Sequence, residues 1–302
     1  HPSTSATTNS LVHTIVREQV DLARVNLKTG NATSLRPEKA IPSSTSLDYA
    51  PKISPNGKML AYISERTGFP ELWVAAPDGS NARQVTSLAH PNIYMPTWSA
   101  DSRHLLFRSQ HLGYQDMYYV AATGGRVHDA TGTDFKANSG FWSEKPLVIY
   151  VRTGGDNRSI YRHEITTGLR TLIIDDGGTA VWDHPNNENI FIAKYQRGRP
   201  RIYELDPDGN STALDREIIY SRSYAIDIQP DGIYFARRSY SQPDYMSLYI
   251  YRFDTQESEK LATAPIANRD SFGFSISPDG QWLYYGKQVK DETDIIVLEN
   301  YR

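Results

Sequence analysis

The residues of this 302-residue chain that could do chemistry are few and scattered. Its eight histidines are His1, His13, His90, His104, His111, His128, His163 and His184. No two of them have the i, i+4 spacing that sets a pair of imidazoles on one helical face for zinc. His184 falls in a turn pattern and His90 in a loop, so packing or solvation explains both more simply than a metal. Asp206-Pro207-Asp208-Gly209-Asn210 imitates the start of a calcium loop, with Glu217 at position 12. The STALD that follows reads as a strand, however, which makes the acidic run a hairpin turn. Ser277-Pro278-Asp279-Gly280 raises the same choice between a tight turn, half of a calcium loop and an anion-binding nest. Trp98, Trp142 and Trp182 could form a stacking platform or a core. A Gly-x-Ser-x-Gly nucleophile elbow is absent, and with no cysteine there is no thiol nucleophile, disulfide or Cys-based zinc site.

What positions these residues is a repeat. The Ser-Pro-Asp-Gly stretch has counterparts in SPNG at residues 54–57 and QPDG at 229–232. Weaker copies lie in WSADS, WSEKP and WDHPNN. Aligned on the large apolar residue before the turn, the anchors are Ile53, Trp98, Trp142, Trp182, Ile228 and Ile276, recurring every 40–48 residues. Each unit reads as a short strand ending at the anchor, a turn and a second strand such as HLLFRS (104–109). A polar loop, a third strand such as DMYYVA (116–121), a Gly-containing turn and a fourth short strand complete it. A turn can drift from SPDG to SADS or DHPN, whereas a catalytic loop could not lose its Asp and Gly. The three tryptophans share one column with three isoleucines, which makes that column core.

Four short antiparallel strands per unit, repeated, define an all-β propeller. No segment carries a 3.6-residue apolar period, so little helix is expected. The chain reads as a single propeller domain over 1–302, with an incomplete N-terminal blade or extension over 1–46 and six repeats over 47–302. LVHTIVREQVDLARVNLKTG reads as a second strand followed by a third, with EKAIPSST as a fourth. The last unit stops after a third strand at DIIVLE (294–299). Seven blades are therefore favoured, with the N-terminus completing the last one; six blades plus an extension is the alternative.

Composition sets outer limits. The chain is 39% hydrophobic and 22% charged, enough to bury a core. A net charge of −3 gives no electrostatic grip on nucleic acid or anionic lipid. No apolar run approaches the ~18 residues of a membrane span.

The unit LDYAPKISPNGKMLAYISERTGFPELWVAAPDGSNARQVTS resembles the repeat of TolB-like propellers, the WD40-like or PD40 repeat. The ending DIIVLENYR is similar to that of membrane-bound CadC- or ToxR-type winged-helix regulators, which carry a C-terminal TolB-like propeller. That resemblance implies a periplasmic propeller tethered to the inner membrane, with DNA binding left to another domain. The polar, Met-less start HPSTSATTNS fits such an excised piece. TolB itself, with its large N-terminal α/β domain, fits less well. Oligogalacturonate lyases share the repeat type and use histidines and a metal in a seven-bladed ring, but their histidine set has no placement on these positions.

The expected function is a non-catalytic sensory or protein-interaction propeller, the extracytoplasmic domain of a membrane-bound transcriptional regulator. A free-standing TolB-like cell-envelope interaction protein is the alternative, and a metal-dependent polysaccharide lyase the third reading. No cofactor or metal is expected; the partner is a protein or small molecule at one propeller face. Candidate binding residues precede the inner strands: Tyr94, Phe135, Lys136, Arg222, Tyr224, Arg269, Asp270 and Phe272. Loops between second and third strands add Tyr114, Arg197, Arg199, Tyr240 and Tyr245.

Overall fold

The computed structural model describes residues 3–5, 10–28, 32–35, 47–89, 92–110, 115–132, 135, 137–153, 158–175, 177–196, 199–214, 218, 225–238, 245–265 and 273–298. These residues form antiparallel β-sheets, with no α-helix among them. The chain opens with β1 (Ser3–Ser5), β2 (Ser10–Asn26) and β3 (Ala32–Leu35). Blade 1 is β4 (Asp48–Ile53), β5 (Leu60–Ser64), β6 (Glu71–Ala75) and β7 (Arg83–Gln84). Blade 2 is β8 (Ile93–Trp98), β9 (His104–Ser109), β10 (Asp116–Ala121) and β11 (His128–Asp129). Blade 3 is β12 (Ala137–Trp142), β13 (Val148–Thr153), β14 (Ile160–Glu164) and β15 (Arg170–Ile174). Blade 4 is β16 (Gly178–Asp183), β17 (Ile190–Gln196), β18 (Arg199–Leu205) and β19 (Ser211–Ala213). Blade 5 is β20 (Ile226–Gln229), β21 (Gly232–Arg238), β22 (Tyr245–Arg252) and β23 (Ser258–Pro265). The last two strands are β24 (Phe274–Ile276) and β25 (Trp282–Leu298).

Blade 6 joins the two ends of the chain. β24 pairs with β25, β25 with β2, and β2 with β3. The described residues thus make six blades, not seven. The N-terminal LVHTIVREQVDLARVN is one strand, bulged at Gln19–Val20, where two strands are expected. DIIV at the C-terminus is likewise no third strand. It continues β25, and the pairing with β2 runs from Asn26 opposite Trp282 to Leu11 opposite Leu298. The residues expected to supply another blade lengthen this ribbon instead. EKAIPSST lies outside the described residues.

Each blade is apolar on both faces because each is a wall of two interfaces. The buried residues divide into six clusters, one per interface. The cluster between blades 6 and 1 joins Leu22 and Tyr284 to Ile53, Leu60 and Tyr62. That between blades 5 and 6 joins Leu248 and Ile250 to Phe274, Ile276, Leu283 and Tyr285. The ring is therefore sealed by the same kind of packing that separates consecutive blades.

Connectors between blades are held by buried acids at the start of third strands. Glu71 accepts the Leu88 and Ala89 amides at 2.6 and 2.8 Å. Asp116, fully buried, accepts the Thr131 hydroxyl and the Met117 and Ala137 amides. Burial raises the Asp116 carboxyl above its usual range, against the pull of these bonds.

Leu22 is 3% exposed at the sealing interface. Leu22→Ala should lower unfolding free energy by about 2–5 kcal/mol in urea titrations, as truncation of a buried leucine does. Leu172→Ala, at a residue 48% exposed on β15, should stay within about 0.5 kcal/mol.

Candidate functional site: the axial channel

The inner strands β4, β8, β12, β16, β20 and β24 enclose an axial cavity of about 560 Å³. Its wall uses the second half of each inner strand and the turn after it: Lys52 to Pro55, Thr97, Trp98 and Ala100, Phe141 to Glu144. Trp182, Asp183 and Pro185, Asp227 to Pro230, and Ser275 and Pro278 complete the circuit. The cavity therefore lies toward the turns that define the repeat. A larger hollow of about 910 Å³ lies between the outer strands of blades 1 and 2. The axial cavity is the better candidate because residues from six blades converge on it.

The turns at its rim share one construction. In blade 6 the Ser277 hydroxyl donates to Asp279, whose carboxylate accepts the Gln281 amide at 3.0 Å, while Ser277 Oγ accepts the Trp282 amide at 2.9 Å. Ser99 and Asp101 repeat this in blade 2 with the Arg103 and His104 amides. Ser54 and Asn56 repeat it in blade 1 with the Lys58 and Met59 amides. Each serine–Asx pair satisfies turn amides that no strand would reach. Gly57 and Gly280 take the positive φ (70° and 65°) that closes the turn. In blade 4, His184 substitutes: Nδ1 accepts the Asn186 amide at 3.1 Å, and the ring packs against both Phe191 and Phe253. Burial lowers the His184 pKa, which keeps the imidazole neutral as that acceptor role requires.

The channel wall is asymmetric. Ala50, Met95 and Gly273 each precede their anchor by three residues and have φ of 54°, 58° and 55°. Pro51 and Pro96 follow the first two, and the β4–β5 and β8–β9 ladders shift register there. Proline has no amide to donate, so the bulge sits where a ladder bond is missing anyway. Blades 3 and 4 supply an aromatic arc instead. Phe141 and Trp182 rings lie 5.4 Å apart. Trp98 and Trp142 are 8% and 9% exposed, with their rings in the interblade clusters and an edge at the cavity. Trp98 Nε1 donates to the Lys52 carbonyl at 2.8 Å, tying blade 2 to blade 1. The core reading of this column stands, with the addition that the same side chains line the channel.

Two charged groups clasp the short strand β24 from either side. Lys52 Nζ donates to the Phe274 carbonyl at 2.9 Å and lies 3.9 Å from Asp227. Asp227 accepts the Ile276 amide at 3.0 Å. Across the channel, Asp183 accepts from the Ser143 hydroxyl at 2.7 Å, the Glu144 amide at 2.6 Å and the Tyr150 hydroxyl at 2.6 Å. Partial desolvation, and then the adjacent Asp183, raise the Glu144 carboxyl. Burial and the bond to Asp183 push the Tyr150 hydroxyl far up, so it remains a donor.

The residues predicted to bind are not gathered here. Tyr94 donates to Asn92 at 2.9 Å and lies under the Arg108 guanidinium, 4.8 Å from its ring centre. Phe135 lies under Arg170 at 4.4 Å and meets Tyr161 edge-on at 5.5 Å. Each has its own partners, and neither lines the axial cavity. Lys136, Arg222, Tyr224, Tyr240, Arg269, Asp270 and Phe272 lie outside the described residues. The Asp206 run is a hairpin turn: Asp206 accepts from the Asn210 amide and side chain at 2.8 and 2.9 Å. Among the described residues no three His, Asp or Glu side chains group to hold a metal. Lys52 and Asp227 were missed, although the column before the anchors signals them. It reads Lys52, Thr97, Phe141, Val181, Asp227 and Ser275, charged where the anchors are uniformly apolar.

Comparison with known proteins places this geometry in a family. A family profile described as TolB beta propeller domain, PD40, matches residues 2–214. The chain belongs to that family. It is 27% identical over 169 residues to the Tol-Pal system protein TolB of Francisella tularensis, a match covering 54% of this chain and 38% of that protein. It thus spans little more than a third of those curated relatives. TolB from Acinetobacter baumannii superposes with a TM-score of 0.59 at 16% identity, covering 93% of this chain and 66% of that one. An oligogalacturonate lyase from Vibrio parahaemolyticus superposes at 0.52 with 11% identity, covering 89% and 77%. At such identities the structural matches define the fold alone.

The turn carboxylates predict a pH response. The Ser277 hydroxyl holds Asp279 below its ordinary 3.8, and the Ser99 hydroxyl does so for Asp101. A lowered folded pKa stabilises fully above the unfolded value and is lost as pH falls through the folded one. The double variant D101N/D279N should fold near normally at neutral pH, since Asn56 fills that role in blade 1. Its melting temperature should fall less than the parent's between about pH 4 and pH 2. An equally steep acid limb would exclude these turns.

Proposed function

We propose that this chain is a non-catalytic, protein-binding propeller of the cell envelope, with its partner docking over the turn-end mouth of the axial channel. The observation that carries the reading is the convergence of all six inner strands on one cavity, in a chain belonging to the TolB beta propeller family. The mouth has an apolar floor of Ile53, Trp98, Trp142 and Trp182 and a rim of turn residues including Glu144, Asp183 and Gln229. An apolar centre inside a polar rim suits protein recognition. The lining side chains are engaged in interblade packing and turn bonding, which supports binding rather than turnover. Similarity to TolB supports a location outside the cytoplasm. A sensory role in a membrane-tethered winged-helix regulator is a finer version of the same reading, with this mouth as sensing surface. A full-length reading frame encoding a winged helix and one apolar span supports that version, and a plain signal peptide removes it.

The reading is testable in the native host. A photo-crosslinking amino acid at position 144, on the rim, should capture a discrete envelope protein. The same group at position 172, on an outer strand, should not. Capture from position 172 alone, or from neither position, would defeat the proposal.

A further inference from the structure

We infer that the turn-end mouth takes a basic side chain, an arginine or lysine presented by the partner. This deepens the docking reading above and rests on it. Four charged residues line the cavity: Lys52, Glu144, Asp183 and Asp227. Lys52 already faces Asp227 at 3.9 Å and the Phe274 carbonyl at 2.9 Å. Glu144 and Asp183 remain, adjacent through the Glu144 amide to Asp183 bond of 2.6 Å, with no cation paired to either among the described residues. Their mutual repulsion contributes to the raised Glu144 carboxyl, and an incoming cation relieves it.

The wall beside these carboxylates suits the stem of a long basic side chain. Trp182 and Phe141 form an aromatic corner next to Asp183 and Glu144. Indole faces attract guanidinium and ammonium groups, and the aliphatic stem of arginine or lysine lies along apolar surface. The protein uses this pairing elsewhere, with Arg66 over Trp73 and Arg24 over Trp282, each at 4.4 Å. A bare divalent metal fits less well, because among the described residues no third acidic ligand is grouped with the pair.

The test uses the purified chain and three probes: N-acetyl-arginine methylamide, its neutral isostere N-acetyl-citrulline methylamide, and N-acetyl-norleucine methylamide. The chain has five tryptophans, and ¹H–¹⁵N spectra resolve their indoles. The arginine probe should saturably shift the Trp142 and Trp182 indoles while leaving Trp73 unmoved. The citrulline and norleucine probes should bind at least tenfold more weakly. E144Q, at an exposed position, and D183N should each weaken the arginine probe severalfold, and their melting curves report whether they fold. Equal binding of arginine and citrulline, absence of saturable shifts, or unchanged affinity in a folded E144Q would overturn the inference. Because no cellular partner is involved, arginine-selective binding without crosslinks in the host would sink the envelope-docking reading alone. Crosslinks from position 144 without arginine selectivity would sink this inference alone.

Discussion

The pairing of β2 with β25 is the constraint on which the rest of the molecule depends. It brings a strand near the start of the chain against the last strand, Leu11 opposite Leu298 and Asn26 opposite Trp282. Without it blade 6 is a two-strand fragment, and blades 1 and 5 each present a face of apolar side chains to water. With it, Leu22 and Tyr284 complete the interface to blade 1, and Phe274 and Leu283 that to blade 5. Closure removes the exposed ends that an open array of sheets would carry. It also costs the most chain entropy, because its two partners are the most distant in sequence. The inner strand of the closing blade, β24, is only three residues long. Bonds to neighbouring blades compensate: Lys52 and Asp227 bind its backbone, and its own Ser275 Oγ accepts the Ile53 amide at 3.2 Å.

That closure gathers the six anchor turns around one cavity. A residue one place before or after the anchor has no special meaning within its own blade. In a closed ring these positions face a common axis, so Lys52 of blade 1 reaches Asp227 of blade 5 across blade 6. Asp183 of blade 4 likewise accepts bonds from Ser143, Glu144 and Tyr150 of blade 3. The polar lining of the channel is thus built from contacts between blades, and a change in blade count would dismantle it.

Much of the fold was legible because the repeat is written in residue types with fixed physical roles. The anchor column, the Asx and Gly turn residues and the strand periods each follow from local geometry, and HLLFRS and DMYYVA are strands at the residues read. The blade count was not legible, because a strand's partner is not encoded locally. LVHTIVREQVDLARVN has the composition of two short strands, and only its register with β25 makes it one. The charged lining of the channel was not legible for a related reason. Exposed-looking Tyr94 and Phe135 drew attention, yet Arg108 and Arg170 cover their rings. Lys52 and Asp227 were passed over because each reads as an ordinary polar residue in a strand. Their significance is a distance across the ring, which no spacing within one repeat reveals.

The closed six-bladed ring is the claim on which the channel and its mouth stand, and the absence of cysteine permits a clean test of it. Asp21 of β2 lies directly opposite Lys287 of β25. Opposed residues in antiparallel strands have Cα atoms about 4.5–5.5 Å apart, within disulfide range. With cysteines at both positions, mild oxidation followed by mass spectrometry should give near-complete intramolecular 21–287 disulfide in folded protein. Two separately alkylated thiols in a chain that retains its β-structure would contradict the closure and the channel built on it.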